Sequence, residues 1–317
     1  MGSLRRNALI LLGVILIIIL IGPFLVPIPP LEGTAAPMQL ADSDSRFIEV
    51  NGLTGHCKIA GQSSPAILLL HGFGAGVFSW REVMEPLSPY GMVVAFDRPA
   101  FGLTSRPMPS EWTGLSPYSR EAQSDLTVAL MDKLGIEKAI LIGHSAGGTI
   151  AALTTLRHPE RVQALILVDP AIYPHGRAED WVRYLSFLPE VQRLGPLLVR
   201  SIASDGNSIV RSARHDVSKI TPAIFEGYRK PLKAENWDRA LWEYTIANHP
   251  LSLEKQLDKL TMPVLVITGD DDRIIPTAES IRLAQGYYVP SLQSSLTAVI
   301  SPMRNARESS WMPLQLS

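Results

Sequence analysis

Four apolar residues, Ala139-Ile140-Leu141-Ile142, run directly into Gly143-His144-Ser145-Ala146-Gly147, and a helical pattern from Ala146 to Arg157 follows at once. A Gly-x-Ser-x-Gly match alone is weak, because glycine and serine are common enough for one to arise by chance in roughly a tenth of chains this long. Its position between a buried strand and a helix is what makes it specific. A serine on such a sharp turn has a strained backbone, and the flanking glycines leave room for it. The hydroxyl stands clear of the sheet, while the helix N-terminus aims N–H groups at a developing oxyanion. Ser145 is therefore the candidate nucleophile; the competing reading is a tight structural turn.

Outward from this corner, strand and helix patterns alternate. Ala66–Leu70, Met92–Phe96 and Ala164–Val168 are continuous apolar runs, as strands buried on both faces require. Phe47–Val50 and His56–Ala60 read as two short strands around the Asn51-Gly52 turn. Ser119 to Leu134 carries Ala122, Leu126, Ala129 and Leu130 on one stripe and ends at Gly135. The alternation predicts an α/β fold with a mostly parallel sheet flanked by helices. It stops from about 172 to 255, where prolines 189, 196, 222 and 231 break helix-like stretches. A helical cap inserted into the sheet is the simplest account. Val264–Thr268, a helix over Thr277–Gln285 and a weak strand at Leu296–Ile300 then resume the pattern.

Two further elements carry chemistry. Leu68-Leu69-Leu70-His71-Gly72-Phe73-Gly74 ends a buried strand in a glycine-rich loop, which can set the Phe73 N–H beside that of Ala146 as an oxyanion hole. The plainer alternative is a loop rich in glycine only for sharp turning. His71 reads as a brace for this loop, and His144 as a residue inside the corner that points away from the hydroxyl. Gly269-Asp270-Asp271-Asp272-Arg273-Ile274-Ile275-Pro276 follows the strand Val264–Thr268, where an acid that orients a histidine belongs. Spacing alone does not choose among its three aspartates, and a charged surface loop is the alternative.

With the run Asp97-Arg98-Pro99-Ala100-Phe101-Gly102, these motifs make the chain resemble the α/β-hydrolase family, serine-nucleophile members with a helical cap, over roughly Phe47 to Ile300. The resemblance implies Ser145 as nucleophile, Asp272 as acid (third after the loop glycine) and Phe73 and Ala146 as oxyanion donors. Asp169, ending Ala164–Val168, is the second choice for the acid. Related dehalogenases and epoxide hydrolases carry aspartate at the elbow, so the serine argues against those reactions. The implied activity is acyl transfer to water from a small, apolar ester. Carbon–carbon bond cleavage and perhydrolysis use the same scaffold.

One family feature is missing. The family places its catalytic histidine after the final strand, yet the last histidine here is His249, and the 45 residues after Asp272 contain none. Asn305 falls roughly where the histidine is expected, and an amide has no basic nitrogen. The catalytic histidine is thus unassigned. The tail 301–317, with Pro302 and Pro313 and no apolar periodicity, favours a shifted or prematurely ended reading frame. The alternatives are a catalytically impaired homologue, or a substitute base such as His249.

The 317 residues carry 29 basic and 30 acidic side chains, a balance that argues against a nucleic-acid partner. No cluster has metal-ligand spacing and no nucleotide fingerprint follows a strand, so neither metal nor cofactor is implied. Cys57, the single cysteine, cannot form an internal disulfide and reads as a small strand residue. Residues 1–7 form a basic flank with Arg5 and Arg6. In Ala8–Ile28, 17 of 21 residues are apolar, and at about 1.5 Å per residue the segment spans roughly 31 Å. It predicts a single-pass membrane anchor with the catalytic domain on the extracytoplasmic side. The alternative is secretion after signal cleavage near Gly33-Thr34-Ala35. Residues 29–45 read as a stiff, proline-rich tether, and 46–317 as the catalytic domain. Within the cap, Trp181, Trp237 and Trp242 either line a substrate pocket or pack the cap's own core.

Overall fold

In the computed structural model, residues 2–173, 184–204, 211, 216–248, 251–270, 272 and 274–286 are described. Among the described residues seven strands build one sheet: β1 (Arg46–Val50), β2 (Leu53–Ala60), β3 (Ala66–Leu70), β4 (Met92–Phe96), β5 (Ala139–His144), β6 (Val162–Val168) and β7 (Val264–Ile267). Their spatial order is β1-β2-β4-β3-β5-β6-β7. β1 and β2 form an antiparallel hairpin, β2 runs antiparallel to β4, and β3 to β7 are parallel. The apolar runs become the central strands because both faces must be apolar there. All five residues of β3 are buried, and Leu68, Leu70, Leu141 and Leu165 join one core cluster. The weak strand expected at Leu296–Ile300 lies outside the described residues.

The helices are α1 (Gly2–Leu25), α2 (Met84–Leu87), α3 (Arg120–Lys133), α4 (Ala146–Arg157), α5 (Pro189–Ser204), α6 (Pro222–Arg229), α7 (Trp237–Ala247) and α8 (Thr277–Gly286). α3 shows how the local code acts. Ser119 caps its start, its side chain accepting from Ala122 N–H, and Gly135 takes φ 69 just beyond its end, the left-handed conformation in which glycine avoids a Cβ clash.

Helices α5 to α7 lie between β6 and β7. Trp237 and Trp242 are buried with Val199 in a cluster of the insertion's own, so these two pack it rather than line a cleft. The Trp242 ring fills the space a Cβ on Gly195 would need, 2.1 Å away. Trp181 lies outside the described residues. α1 is apolar and unburied over Arg5–Leu25, long enough to cross a membrane; a signal sequence has the same character. Pro23 sits in its last turn, and Pro27, Pro29 and Pro30 keep the helix from continuing.

The proline-rich stretch differs from a free tether. It contains a 3-10 turn at Pro37–Leu40. Ala35 bonds both ways to the insertion, its N–H to Lys233 O at 2.9 Å and its carbonyl to Glu235 N–H at 3.0 Å. Proline removes N–H donors from this stretch; of those that remain, Ala35 finds its acceptor on the insertion, while Gln39 and Ala41 bond within the stretch.

Candidate active site

Ser145 links β5 to α4 at φ 53 and ψ −122. A non-glycine residue held there costs about 1–3 kcal/mol and persists only where its surroundings over-determine it. They do so here. The Ser145 N–H donates to Val168 O at 3.0 Å, and its carbonyl accepts from Gly148 at 2.9 Å and Ala171 at 3.1 Å. The glycines admit no side chain: a Cβ on Gly147 would lie 2.1 Å from Leu70 O, and one on Gly143 2.6 Å from Gly147 O. Ser145 is half-buried, and no imidazole is hydrogen-bonded to its Oγ among the described residues.

The loop after β3 meets this corner. A Cβ on Gly72 would stand 3.2 Å from Ser145 Cβ and 3.2 Å from His144 Nδ1, so the loop passes directly beside the serine. Among the described residues nothing accepts from the N–H groups of Phe73 or Ala146, which leaves both donors uncommitted. His71 is fully buried and holds the loop: Nδ1–H donates to Gly72 O at 2.8 Å, and Nε2 accepts from Arg98 N–H at 3.0 Å. Both ring nitrogens are therefore occupied. Burial, with the Arg98 charge beside it, pushes the imidazole down to about 3, so it stays neutral. His71 is a brace and not a base, as its place in the sequence suggests. The exposed Phe73 ring meets Phe101 edge-on (5.5 Å) and Tyr244 of α7 at a tilt (5.8 Å), so one aromatic residue of the insertion borders the loop.

The acids sit at the ends of the next two strands. Asp169, at φ 43 after β6, accepts from Gly269 N–H at 3.1 Å. Burial raises its pKa and the Asp272 charge adds to this, against hydrogen bonds from Thr268 and Gly269. Asp272 is half-buried, and its Oδ1 accepts from Ile274 N–H at 2.7 Å and Ile275 N–H at 2.9 Å. Asp270 is exposed, while Asp271 lies outside the described residues. His144 feels both acids: burial lowers its pKa, and Asp169 and Asp272 oppose that. Ser145, Asp169 and Asp272 thus stand at the carboxyl ends of adjacent strands, where parallel sheets bind ligands. His249 and Asn305 lie outside the described residues.

A polar chain on the far side of the loop was not legible as such. Ser45 Oγ lies 2.8 Å from His56 Nε2, and His56 Nδ1 lies 2.6 Å from Asp97 Oδ2. His56 and Asp97 are almost wholly buried. The order serine, histidine, aspartate resembles a catalytic relay, but the Asp97 carboxylate is committed to backbone. It accepts from Val77 N–H at 2.6 Å, just past the His71–Gly74 loop, and from Leu103 N–H at 2.7 Å. Burial would raise its pKa; the His56 hydrogen bond and charge outweigh that and hold it low. The chain is a brace that fixes the base of the loop. Its one sequence signal is Gly102, where a Cβ would fall 1.7 Å from the Asp97 carboxyl carbon.

Comparison with known proteins agrees with this architecture. Residues 65–300 match the family described as alpha/beta hydrolase fold. The chain is 32% identical to the 2-hydroxymuconate semialdehyde hydrolase of Pseudomonas sp. (strain CF600), over 75% of this chain and 81% of that protein. It is also 32% identical to the abhydrolase domain-containing protein abhd-5.2 of Caenorhabditis elegans over 70% of its length, spanning about half (52%) of that relative. Among solved structures, a membrane phospholipase A described as a bacterial virulence factor is 25% identical with a TM-score of 0.59, covering 95% of this chain and 91% of the other. A model match across most of the chain, a relative aligned over most of its own length and the strand order observed here agree: the chain belongs to the α/β-hydrolase fold family.

Proposed function

We propose that the protein is a membrane-anchored serine hydrolase that cleaves carboxylic esters through an acyl-enzyme on Ser145. The observation that carries this reading is the strained Ser145 corner with Gly72 against it and two uncommitted amides alongside. In the proposed reaction, Ser145 Oγ attacks the ester carbonyl carbon. The C=O electron pair moves onto oxygen, where the Phe73 and Ala146 N–H groups receive it. The proton lost by Ser145 Oγ leaves on the alcohol; water then adds to the acyl carbon, its OH completing the released acid and its other proton restoring the Ser145 hydroxyl. Asp272 is the carboxylate proposed to orient the base that carries these protons, a role to which no residue is assigned.

Anchoring is supported by α1, by Arg5 and Arg6 ahead of its apolar run, and by the phospholipase likeness, whose coverage reaches beyond the catalytic domain. The catalytic domain then lies on the extracytoplasmic side. The kinship to a semialdehyde hydrolase favours carbon–carbon cleavage as the other chemistry to test.

A second reading, a catalytically impaired homologue, is favoured by one fact: residues 273–317 contain no histidine to serve as base. One assay separates the two. The purified full chain is offered p-nitrophenyl esters and a ring-cleavage dienoate. Turnover that Ser145→Ala lowers by roughly 10³-fold or more supports the first reading. A wild type no faster than Ser145→Ala on every substrate would overturn it in favour of the second.

A further inference from the structure

The insertion carries more exposed apolar surface than its fold requires. Tyr184, Phe187 and Leu188 precede or enter α5, Leu198 and Ile202 lie four residues apart on it, and these side chains are 44–73% exposed. The adjoining face of α5 is already buried, with Val199 against Trp237 and Trp242. The apolar surface of the helix therefore extends past the stripe its own cluster covers, and an apolar cluster of this kind marks an interaction surface.

The other partner is indicated by what α5 is tied to. Arg193 donates from Nε to Pro23 O at 3.0 Å and from Nη2 to Val26 O at 3.1 Å. Arg200 donates to Pro29 O at 2.6 Å and pairs with Asp238 at 2.8 Å. Pro23 belongs to the last turn of α1. The N-terminal half of α5 is therefore within one guanidinium's reach of the end of the apolar helix. If α1 crosses a bilayer, that end lies at the level of the headgroups. An arginine there keeps its charge in the polar layer while apolar neighbours reach the acyl chains, and tyrosine suits the same boundary.

We infer that the exposed face of Tyr184–Leu188 and α5 rests on the lipid bilayer, as a second, peripheral membrane contact continuous with α1. This inference rests on the reading of α1 as a membrane anchor. It deepens that reading, because the insertion that borders the Ser145 loop then lies against a source of acyl lipids.

The test uses the full chain in nanodiscs of phosphatidylethanolamine and phosphatidylglycerol. Cys57 is 1% exposed and its thiol is pushed up to about 11 by burial, so an introduced surface cysteine is labelled selectively. An environment-sensitive fluorophore is placed at Phe187→Cys, Leu198→Cys or the control Glu137→Cys, an exposed site at the opposite end of the sheet. Doxyl-labelled lipid is expected to quench the labels at 187 and 198 several-fold more than the label at 137. Equal quenching at all three sites overturns the inference. So does shielding of 187 and 198 from an aqueous quencher without lipid quenching, which would assign the face to a second copy or another protein. Failure of the full chain to co-float with lipid overturns the anchor as well; co-flotation without selective quenching overturns only the contact of the insertion.

Discussion

The two corners that flank the candidate cleft are built in different ways. At the Ser145 corner the backbone does the positioning: three hydrogen bonds hold one residue, and the glycines face atoms where a side chain would stand. At the Asp272 corner the backbone is open. A Cβ on Gly269 would meet nothing within 4 Å, and the carboxylate is placed by two N–H groups of its own loop. In the proposed reading the candidate nucleophile is set before any partner arrives, whereas the candidate acid acts only through a group it would orient. The first corner is held by atoms of separate segments, since Val168, Ala171 and the Leu70 carbonyl all close on it, whereas the second is held by its own loop.

Substituting the two glycines breaks the comparison most sharply. Gly147→Val puts side-chain atoms against the Leu70 and His71 carbonyl oxygens, which cannot move without disturbing β3. We expect a loss of about 4 kcal/mol or more, or failure to fold. Gly269→Ala should change stability by less than about 0.5 kcal/mol. Urea unfolding of both variants checks this, and similar losses at the two sites would remove the distinction.

A smaller effect sharpens the same point in the loop beside Ser145. His71 stays neutral in the fold down to about pH 3, while in the unfolded chain it binds a proton near pH 6.5. Between these values the unfolded state holds the extra proton. The contribution of His71 is therefore fully present above about 6.5 and declines as pH falls towards 3. The urea midpoint of wild type should drop more between pH 7 and pH 5 than that of His71→Gln. Equal drops would show that His71 is not held neutral.

The same contrast explains what was legible in the sequence. The β3, β4, β5 and β6 runs, the helix begun at Ser119 and the Gly135 stop are local, and each appears close to its expected place. The boundaries moved where tertiary pairing extends a strand: β2 begins at Leu53 rather than His56 because the hairpin pairs Leu53 with Val50. The brace of Ser45, His56 and Asp97 joins three separate segments, so no window of sequence could show it. The docking of Ala35 on the insertion was hidden likewise, since it joins a stretch that reads as a stiff tether to Lys233 and Glu235, far along the chain. Of the three aspartates after β7, exposure separates Asp270 from Asp272, which spacing could not do.

Whether Ser145 is a primed nucleophile is read most simply with a fluorophosphonate probe. It takes the serine oxygen and loses its leaving group, so the adduct is read as a mass increase on one peptide. We expect an adduct on the peptide containing Ser145 in the folded full chain, and none in Ser145→Ala of equal stability. A folded wild type that stays unmodified, or an adduct that persists in Ser145→Ala, would contradict it.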